Sequence, residues 1–215
     1  MRYDAAIFDL DGTLLDTIDD LKNSINHALS VCGYPPRTRA EVLAFVGNGV
    51  PRLVELAVPP GTPADRRQAV LDAMNAHYAA HCAELTRPYP GITDVLRTLR
   101  AAGVRVAVVS NKPDYGVQEL CARYFPGLLD SAVGMREGIR KKPYPDAVEA
   151  ALAAFGVPPE RAVYIGDSEV DVQTAKNAHT ALIAVDWGFR THAQLVEAGA
   201  ERIVSDADAL LALLR

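Results

Sequence analysis

The chain has 215 residues, of which 49% are hydrophobic and 23% charged, so it can bury the core of one large or two modest globular domains. Its formal net charge of −5 argues against a nucleic acid or an anionic membrane surface as partner, because both favour basic patches. No apolar stretch reaches the length that spans a bilayer, so we expect no membrane segment.

The first predicted strand, residues 3–8, ends in two aspartates. Its residues are rich in β-formers, and Asp9-Leu10-Asp11-Gly12-Thr13 follows directly. Alternate residues of an extended segment lie on the same side, so Asp9 and Asp11 can share one site. Gly12 permits a tight turn that leaves both carboxylates at the edge where open α/β sheets bind ligands. Two crowded carboxylates repel each other unless a cation lies between them or one takes up a proton.

The next segment, residues 16–87, is predicted to be almost entirely helical. Apolar residues recur every three to four positions at Ile18, Leu21, Ile25 and Leu29, and residues 62–83 predict a long amphipathic helix. Pro88-Tyr89-Pro90-Gly91 marks the end of this region. We therefore expect an α/β core of residues 1–15 and 88–215 and an inserted small all-helical domain of residues 16–87.

The rest of the chain alternates between short β-rich runs and helical patterns, which predicts a Rossmann-like parallel sheet covered on both faces. The strand predicted at 104–110 ends in Ser110-Asn111-Lys112, and the strand at 162–166 ends in Gly166-Asp167, with Asp171 one helical turn later. Between them, Lys142-Pro143 closes a basic run. Lys141 is an alternative to Lys142, which is favoured because it abuts the proline.

The residue types predicted at this edge of the sheet suit a phosphate ester held beside a metal ion. Dense acidic clusters need a divalent cation, and oxygen ligands next to a phosphate favour Mg²⁺. Ser110 and Lys142 would suit the phosphoryl group itself.

These segments resemble, in order and spacing along the whole chain, the four motifs of the haloacid dehalogenase-like hydrolases. The matching residues are Asp9-x-Asp11-Gly12-Thr13, Ser110, Lys142-Pro143 and Gly166-Asp167-x-x-x-Asp171. The helical insertion is similar to the small cap domain of that family. Dehalogenating members lack an aspartate at the second position of the first motif, so Asp11 favours cleavage of phosphoric monoesters.

The resemblance also implies a role for each matched residue. Asp9 would take the phosphoryl group as an aspartyl-phosphate, and Asp11 would act first as general acid and then as general base. Mg²⁺ would be bound by Asp9, the backbone carbonyl of Asp11 and Asp167, with Asp171 steadying the shell. Ser110, with Asn111 beside it, and Lys142 would hold the phosphoryl oxygens. Thr13 is either a further substrate contact or a structural turn hydroxyl.

The loop around Asn48 in the helical segment indicates which substrate to expect. Two glycines flank Asn48, and Pro51 can begin a helix with Arg52 in its first turn, which predicts an anion site for a small carboxylate. An interhelical turn without a ligand is the alternative. Val46-Gly47-Asn48-Gly49 resembles the cap loop of phosphoglycolate phosphatases, which implies hydrolysis of 2-phosphoglycolate to glycolate and phosphate.

Other functions stay open at this point. Relatives acting on sugar phosphates, nucleoside monophosphates or pyrophosphate share nearly all of these motifs, and β-phosphoglucomutase-like phosphotransferases carry the same two aspartates. A non-catalytic phosphate-binding module is the alternative from another class.

We expect a small phosphorylated metabolite as the partner of a monomer or small homo-oligomer. Cys32, Cys82 and Cys121 are odd in number and far apart, which predicts reduced thiols. The first strand begins within a few residues of Met1, which predicts no signal peptide, so the expected location is cytoplasmic.

Overall fold

A computed structural model describes every residue from Met1 to Arg215 and divides them into two compact units. The core unit consists of Met1–Leu15 and Pro88–Arg215, and the helical unit of Asp16–Arg87. The chain passes between the units at β2 (Leu15–Asp16) and β3 (Arg87–Pro88), which form a two-stranded sheet. None of the helices is both long and apolar enough to cross a membrane.

The core unit contains a parallel sheet of six strands. In spatial order the strands are β5 (Ser131–Met135), β4 (Arg105–Pro113), β1 (Ala5–Phe8), β6 (Ala162–Gly166), β7 (Ala181–Val185) and β8 (Ile203–Val204). Ile7 in the central β1 lies between Ala107 and Tyr164 of its two neighbours. The predicted fold class is confirmed. Because the strands run in one direction, the segments after β1, β4 and β6 leave the sheet at the same edge.

Helices cover the sheet because its strands are apolar on both faces. The core unit has six: α5 (Ile92–Ala101), α6 (Asp114–Tyr124), α7 (Asp146–Phe155), α8 (Glu169–Asn177), α9 (His192–Glu197) and α10 (Ala207–Leu214). On one face, Val148 and Leu152 of α7 pack in a cluster with Ile7 and Val109. Val108 of β4 alternates with Val109 and is also fully buried, so the second face is covered as well.

Several elements of the core unit differ from the sequence predictions. The strand predicted at 104–110 continues to Pro113, with a register shift between Val109 and Pro113. The sequence analysis did not predict β5, β8, α6 or α10. In β5 the pattern is weak because Gly134 interrupts it, and that glycine is needed because a Cβ there would overlap the backbone at the start of α6.

The helical unit consists of four helices, α1 (Ile18–Val31), α2 (Arg39–Phe45), α3 (Val50–Ala57) and α4 (Ala64–His81). The first and last of these pack together along their lengths. Asp20 of α1 is buried, and its carboxylate accepts hydrogen bonds from the backbone N–H groups of Leu85 and Thr86, at 3.0 and 2.8 Å. This carboxylate therefore ties the final segment of the unit back to its first helix.

Candidate active site

The loop after β1 brings the first predicted aspartate against the neighbouring strand. The N–H of Asp9 donates to the carbonyl of Ile165 in β6 at 2.9 Å. Gly12 then turns the chain with a φ of +88°, and a Cβ at this position would overlap the carboxylate of Asp167. The turn thus requires glycine for its backbone angle and for the close approach of the two loops.

Three buried carboxylates meet at this edge. Ligand oxygens of Asp9, Asp167 and Asp171 all lie within 4.8 Å of one another. Burial raises the pKa of Asp9 to about 7, an effect that the charge of Lys142 partly opposes and that of Asp171 reinforces. Burial, together with the charges of Asp171 and Asp9, also raises the pKa of Asp167 well above its usual range.

Asp167 is held in place by two donors from different segments of the core unit. The Thr13 hydroxyl donates to Oδ1 at 3.0 Å, and the backbone N–H of Phe189 donates to Oδ2 at 2.7 Å. Thr13 is fully buried, so its hydroxyl acts as a structural partner of Asp167. Of the two interpretations that the sequence left open for Thr13, this geometry favours the structural one.

Lys142, and not Lys141, brings its ammonium into the cluster. Its Nζ lies 2.7 Å from Oδ1 of Asp171, 2.9 Å from Oδ1 of Asp9 and 3.1 Å from the hydroxyl of Tyr164. Burial alone would lower the pKa of Lys142, but the charges of Asp171 and Asp9 outweigh it and raise that pKa well above the ordinary value. The ammonium is therefore charged at neutral pH.

Asn111 fixes the loop that carries Lys142. Its side-chain amide donates to the backbone carbonyl of Lys142 at 3.1 Å and accepts from the N–H of the same residue at 2.8 Å. The sequence analysis expected Asn111 among the substrate contacts. In the structure its amide contacts the backbone of Lys142, so Asn111 positions that residue, and its contact with substrate stays a prediction.

Asp171 has both carboxylate oxygens engaged by protein donors. One accepts from Lys142 and from the Tyr164 hydroxyl, and the other from two backbone N–H groups and the Ser168 hydroxyl. Ser168 and Asp171 also form a capping box at the start of α8. Because its two oxygens are held by these donors, the Asp171 carboxylate is suited to orienting the Lys142 ammonium and the Ser168 hydroxyl.

The charges of the cluster fit a divalent cation. Three carboxylates face the single ammonium of Lys142, so ionising all three in this buried place leaves two negative charges that a divalent cation would balance. The Leu10 N–H and the Lys142 ammonium both contact Oδ1 of Asp9, which leaves Oδ2 for a ligand. An oxygen-only donor set of this kind suits a hard cation such as Mg²⁺.

A second ion pair lies beside the cluster. Nζ of Lys112 donates to Oδ1 of Asp11 at 2.7 Å, and the N–H of Lys112 donates to the Ser110 hydroxyl oxygen at 3.2 Å. The Ser110 hydroxyl proton is thereby left to donate to a ligand. Sequence reasoning assigned no role to Lys112, although alternation along β4 places it on the same side as Ser110. It also missed Tyr164, which the apolar run of β6 conceals.

The two remaining predicted residues, Asn48 and Arg52, belong to the helical unit. Asn48 lies in the turn between α2 and α3, and Gly49 caps α3, with Pro51 in its first turn. The guanidinium of Arg52 donates to Glu55 one turn later at 2.5 Å. The predicted helix start is therefore present, and the anion site stays a prediction.

Known proteins resemble this chain over nearly its whole length. The family model for haloacid dehalogenase-like hydrolases matches residues 6–185. A phosphoglycolate phosphatase of Cereibacter sphaeroides is 38% identical, over 97% of this chain and 96% of the relative. A solved structure from Lactobacillus delbrueckii subsp. bulgaricus, provisionally named a phosphoglycolate phosphatase, is 40% identical with a TM-score of 0.95, over 100% of this chain and 99% of the other. CbbY from Rhodobacter sphaeroides, solved in complex with xylulose-1,5-bisphosphate, is 27% identical with a TM-score of 0.75, over 94% and 93%.

Proposed function

The chain belongs to the haloacid dehalogenase-like hydrolase family, and from this premise we propose that it hydrolyses 2-phosphoglycolate to glycolate and phosphate. The predicted family and the predicted enzyme class, a phosphoric monoester hydrolase, are confirmed. The observation that carries the proposed reaction is the buried juxtaposition of Asp9, Asp167 and Lys142. The choice of substrate is supported by the names of the relatives and by the loop around Asn48.

The proposed reaction has two steps. In the first, a carboxylate oxygen of Asp9 bonds to phosphorus while the bond from phosphorus to the ester oxygen breaks, and the carboxyl of Asp11 gives its proton to the leaving oxygen. In the second, Asp11 takes a proton from water as the water oxygen bonds to phosphorus, and Asp9 leaves as a carboxylate. Such a positioned acid–base group contributes on the order of 10²–10⁴ in rate.

Lys142 and Ser110 would stabilise the phosphoryl group during both steps. The Lys142 ammonium lies 2.9 Å from Asp9, so a phosphoryl group on Asp9 would be close to a positive charge. The Ser110 hydroxyl can donate to a phosphoryl oxygen, because its own oxygen accepts from the Lys112 N–H. Asn111 supports this arrangement by holding the backbone of Lys142.

We propose that Asp9, Asp167 and the backbone carbonyl of Asp11 hold Mg²⁺, with Asp171 orienting its neighbours. The excess of carboxylates over ammonium groups in the cluster supports this assignment, as does the oxygen-only donor set. When bound, Mg²⁺ would neutralise charge on the phosphoryl oxygens.

The helical unit is proposed to act as a cap that selects the leaving group, through Asn48 and Arg52. Arg52 pairs with Glu55 on the exposed face of α3, and such surface pairs contribute only about 0–1 kcal/mol. A substrate carboxylate can therefore replace Glu55 at little cost. The residues of the turn, with Gly49 at the helix start, support recognition of an anion there.

Phosphorylated sugars are the second candidate substrates. CbbY, which is 27% identical to this chain, binds a sugar bisphosphate in its solved structure. The same reacting groups would serve such a substrate, since they contact only the phosphoryl group and the leaving oxygen. The distinction between the two candidates therefore depends on the helical unit.

The test is phosphate release with Mg²⁺ from 2-phosphoglycolate, sugar phosphates, nucleoside monophosphates, pyrophosphate and p-nitrophenyl phosphate. We expect the highest kcat/KM for 2-phosphoglycolate, and no release from any ester by the Asp9→Asn variant. A preference for sugar phosphates would favour the second candidate, and release that survives Asp9→Asn would refute the assigned nucleophile.

The cap loop is tested by Arg52→Ala, with Arg66→Ala as the matched control on an exposed face of α4. The Arg52→Ala variant loses a charge-assisted contact, so its KM for 2-phosphoglycolate should rise about tenfold. Its KM for p-nitrophenyl phosphate should change less than about twofold. An equal change for both substrates would remove Arg52 from the carboxylate site.

A further inference from the structure

The ion pair between Lys112 and Asp11 is built into the fold of the core unit. The Lys112 side chain is only 2% exposed, and its Nζ lies 2.7 Å from Oδ1 of Asp11. Its stem runs beside Gly116 of α6, where a Cβ would stand 3.4 Å from the Cδ and Cε atoms. The stem therefore packs directly against this turn of α6.

The two lysines of the site have different carboxylate partners. Lys142 pairs with Asp9 and Asp171, whereas Lys112 pairs with Asp11. An ammonium buried to this extent is costly without a partner, so the pairing is strongly favoured. Because Lys112 belongs to β4, the orientation of Asp11 is set by the sheet as well as by its own turn.

We propose that Lys112 is a positioning residue, which holds Asp11 by one oxygen so that the other exchanges the proton with the leaving group and the attacking water. This inference rests on the proposed function. Lys112 engages Oδ1, and Oδ2 is then the oxygen presented to the reaction. A carboxylate free to rotate would spend less time in the productive orientation, and misplacement of a reacting group lowers the rate steeply.

The proton balance leaves Lys112 unchanged throughout. In the first step the proton moves from the Asp11 carboxyl to the ester oxygen as the phosphorus–oxygen bond breaks. In the second it moves from water to Asp11 as the aspartyl-phosphate breaks down. Asp11 thus begins and ends the cycle protonated on Oδ2 while Oδ1 accepts from the Lys112 ammonium throughout, so no further reactant is needed.

The leaving group provides a test that a merely structural role would not pass. A nitrophenolate leaves without a proton, whereas the alkoxides of 2-phosphoglycolate and ethyl phosphate need one. In Lys112→Met, we expect kcat/KM to fall about 10- to 100-fold for both alkyl esters and less than about threefold for p-nitrophenyl phosphate. Lys112→Arg, which keeps a donor and a charge, should recover part of the loss.

Lys176→Met is the matched control, because it removes one exposed ammonium from α8 and should leave the three kcat/KM values unchanged. An equal loss on all three esters in Lys112→Met would overturn the inference. A loss confined to 2-phosphoglycolate would also overturn the inference, because Lys112 would then be a carboxylate-binding residue. If Lys112→Met does not fold, as judged by its circular dichroism, Lys112→Gln decides, because it removes the charge and shortens the side chain, and an unchanged ratio of alkyl to aryl kcat/KM in that variant overturns the inference.

The wild-type protein separates this inference from the proposed function. If it releases no phosphate from any of the three esters, the proposed function fails and the inference fails with it. If it is active and the variants keep its leaving-group preference, only the inference fails.

Discussion

Replacing Lys142 with Met removes the ammonium that lies between Asp9 and Asp171 and keeps most of the side-chain volume. The distances of 2.9 and 2.7 Å and the 3% exposure of the side chain make this a buried ion pair. We expect the variant to lose both stability and activity. Lys141→Met is the matched control, since it changes the neighbouring, exposed lysine that the sequence left as an alternative.

The expected loss of stability follows from the burial of the cluster. Removing one partner of a buried pair costs about 3–5 kcal/mol, and the lower end applies here because a buried carboxyl can take up a proton instead. Burial already raises the pKa of Asp9 to about 7, and removing Lys142 would raise it further. The loss should therefore be larger near pH 8 than near pH 6. A loss of about 3 kcal/mol lowers Tm by roughly 6–12 °C.

The assay combines thermal unfolding of the metal-free protein with phosphate release in Mg²⁺. Losing one preorganised donor to the phosphoryl group should lower kcat about 10²–10³-fold. Lys141→Met should remain within about threefold of wild type by the same reasoning, since its ammonium is not in the cluster. A Lys142→Met variant with wild-type kcat and Tm, or a Lys141→Met variant with the larger loss, would refute this account of the cluster.

Two further predictions concern stability. The folded-state pKa of Asp9, about 7, lies above its usual 3.8, so its contribution to stability is present below about pH 4 and is lost as the pH rises to about 7. Added Mg²⁺ should therefore raise Tm more near pH 8 than near pH 5, and calorimetry showing equal shifts would contradict this. In the helical unit, Asp20→Ala removes a buried carboxylate that accepts from the N–H groups of Leu85 and of the buried Thr86, and should cost about 1.5–3 kcal/mol in urea unfolding. Asp19→Ala, which removes only surface pairs, should cost less than about 1 kcal/mol, and equal losses would refute the role of Asp20.

The parts of the site that were predictable lie at the ends of strands. Asp9 and Asp167 follow apolar runs, and parallel strands bring such ends to one edge, so their meeting follows from fold class alone. Asp171 was predictable for a similar reason, because it lies one helical turn after Asp167. Strands with a weak apolar pattern, such as β5, were missed because edge position and a glycine remove the signal.

The partners of the polar side chains were not predictable in the same way. The sequence did not indicate that the amide of Asn111 contacts the backbone of Lys142, which is 31 residues away in the chain. Thr13 similarly contacts Asp167, at a separation of 154 residues. Each of these side chains has the chemistry to bind a ligand or the protein, and only its surroundings select between the two.

Local sequence thus determined the order of the elements, the helical insertion and the aspartates that reach the edge of the sheet. These depend on hydrophobic periodicity and on the residues that end each strand, which act over a few positions. The resemblance placed Lys142 at the site, but tertiary structure alone decided that its ammonium contacts Asp171 as well as Asp9, and that Lys112 holds Asp11 across 101 residues of chain. A long, flexible lysine side chain has no local signal for its partner, because its buried ammonium pairs with whichever carboxylate the packed sheet and helices bring within reach.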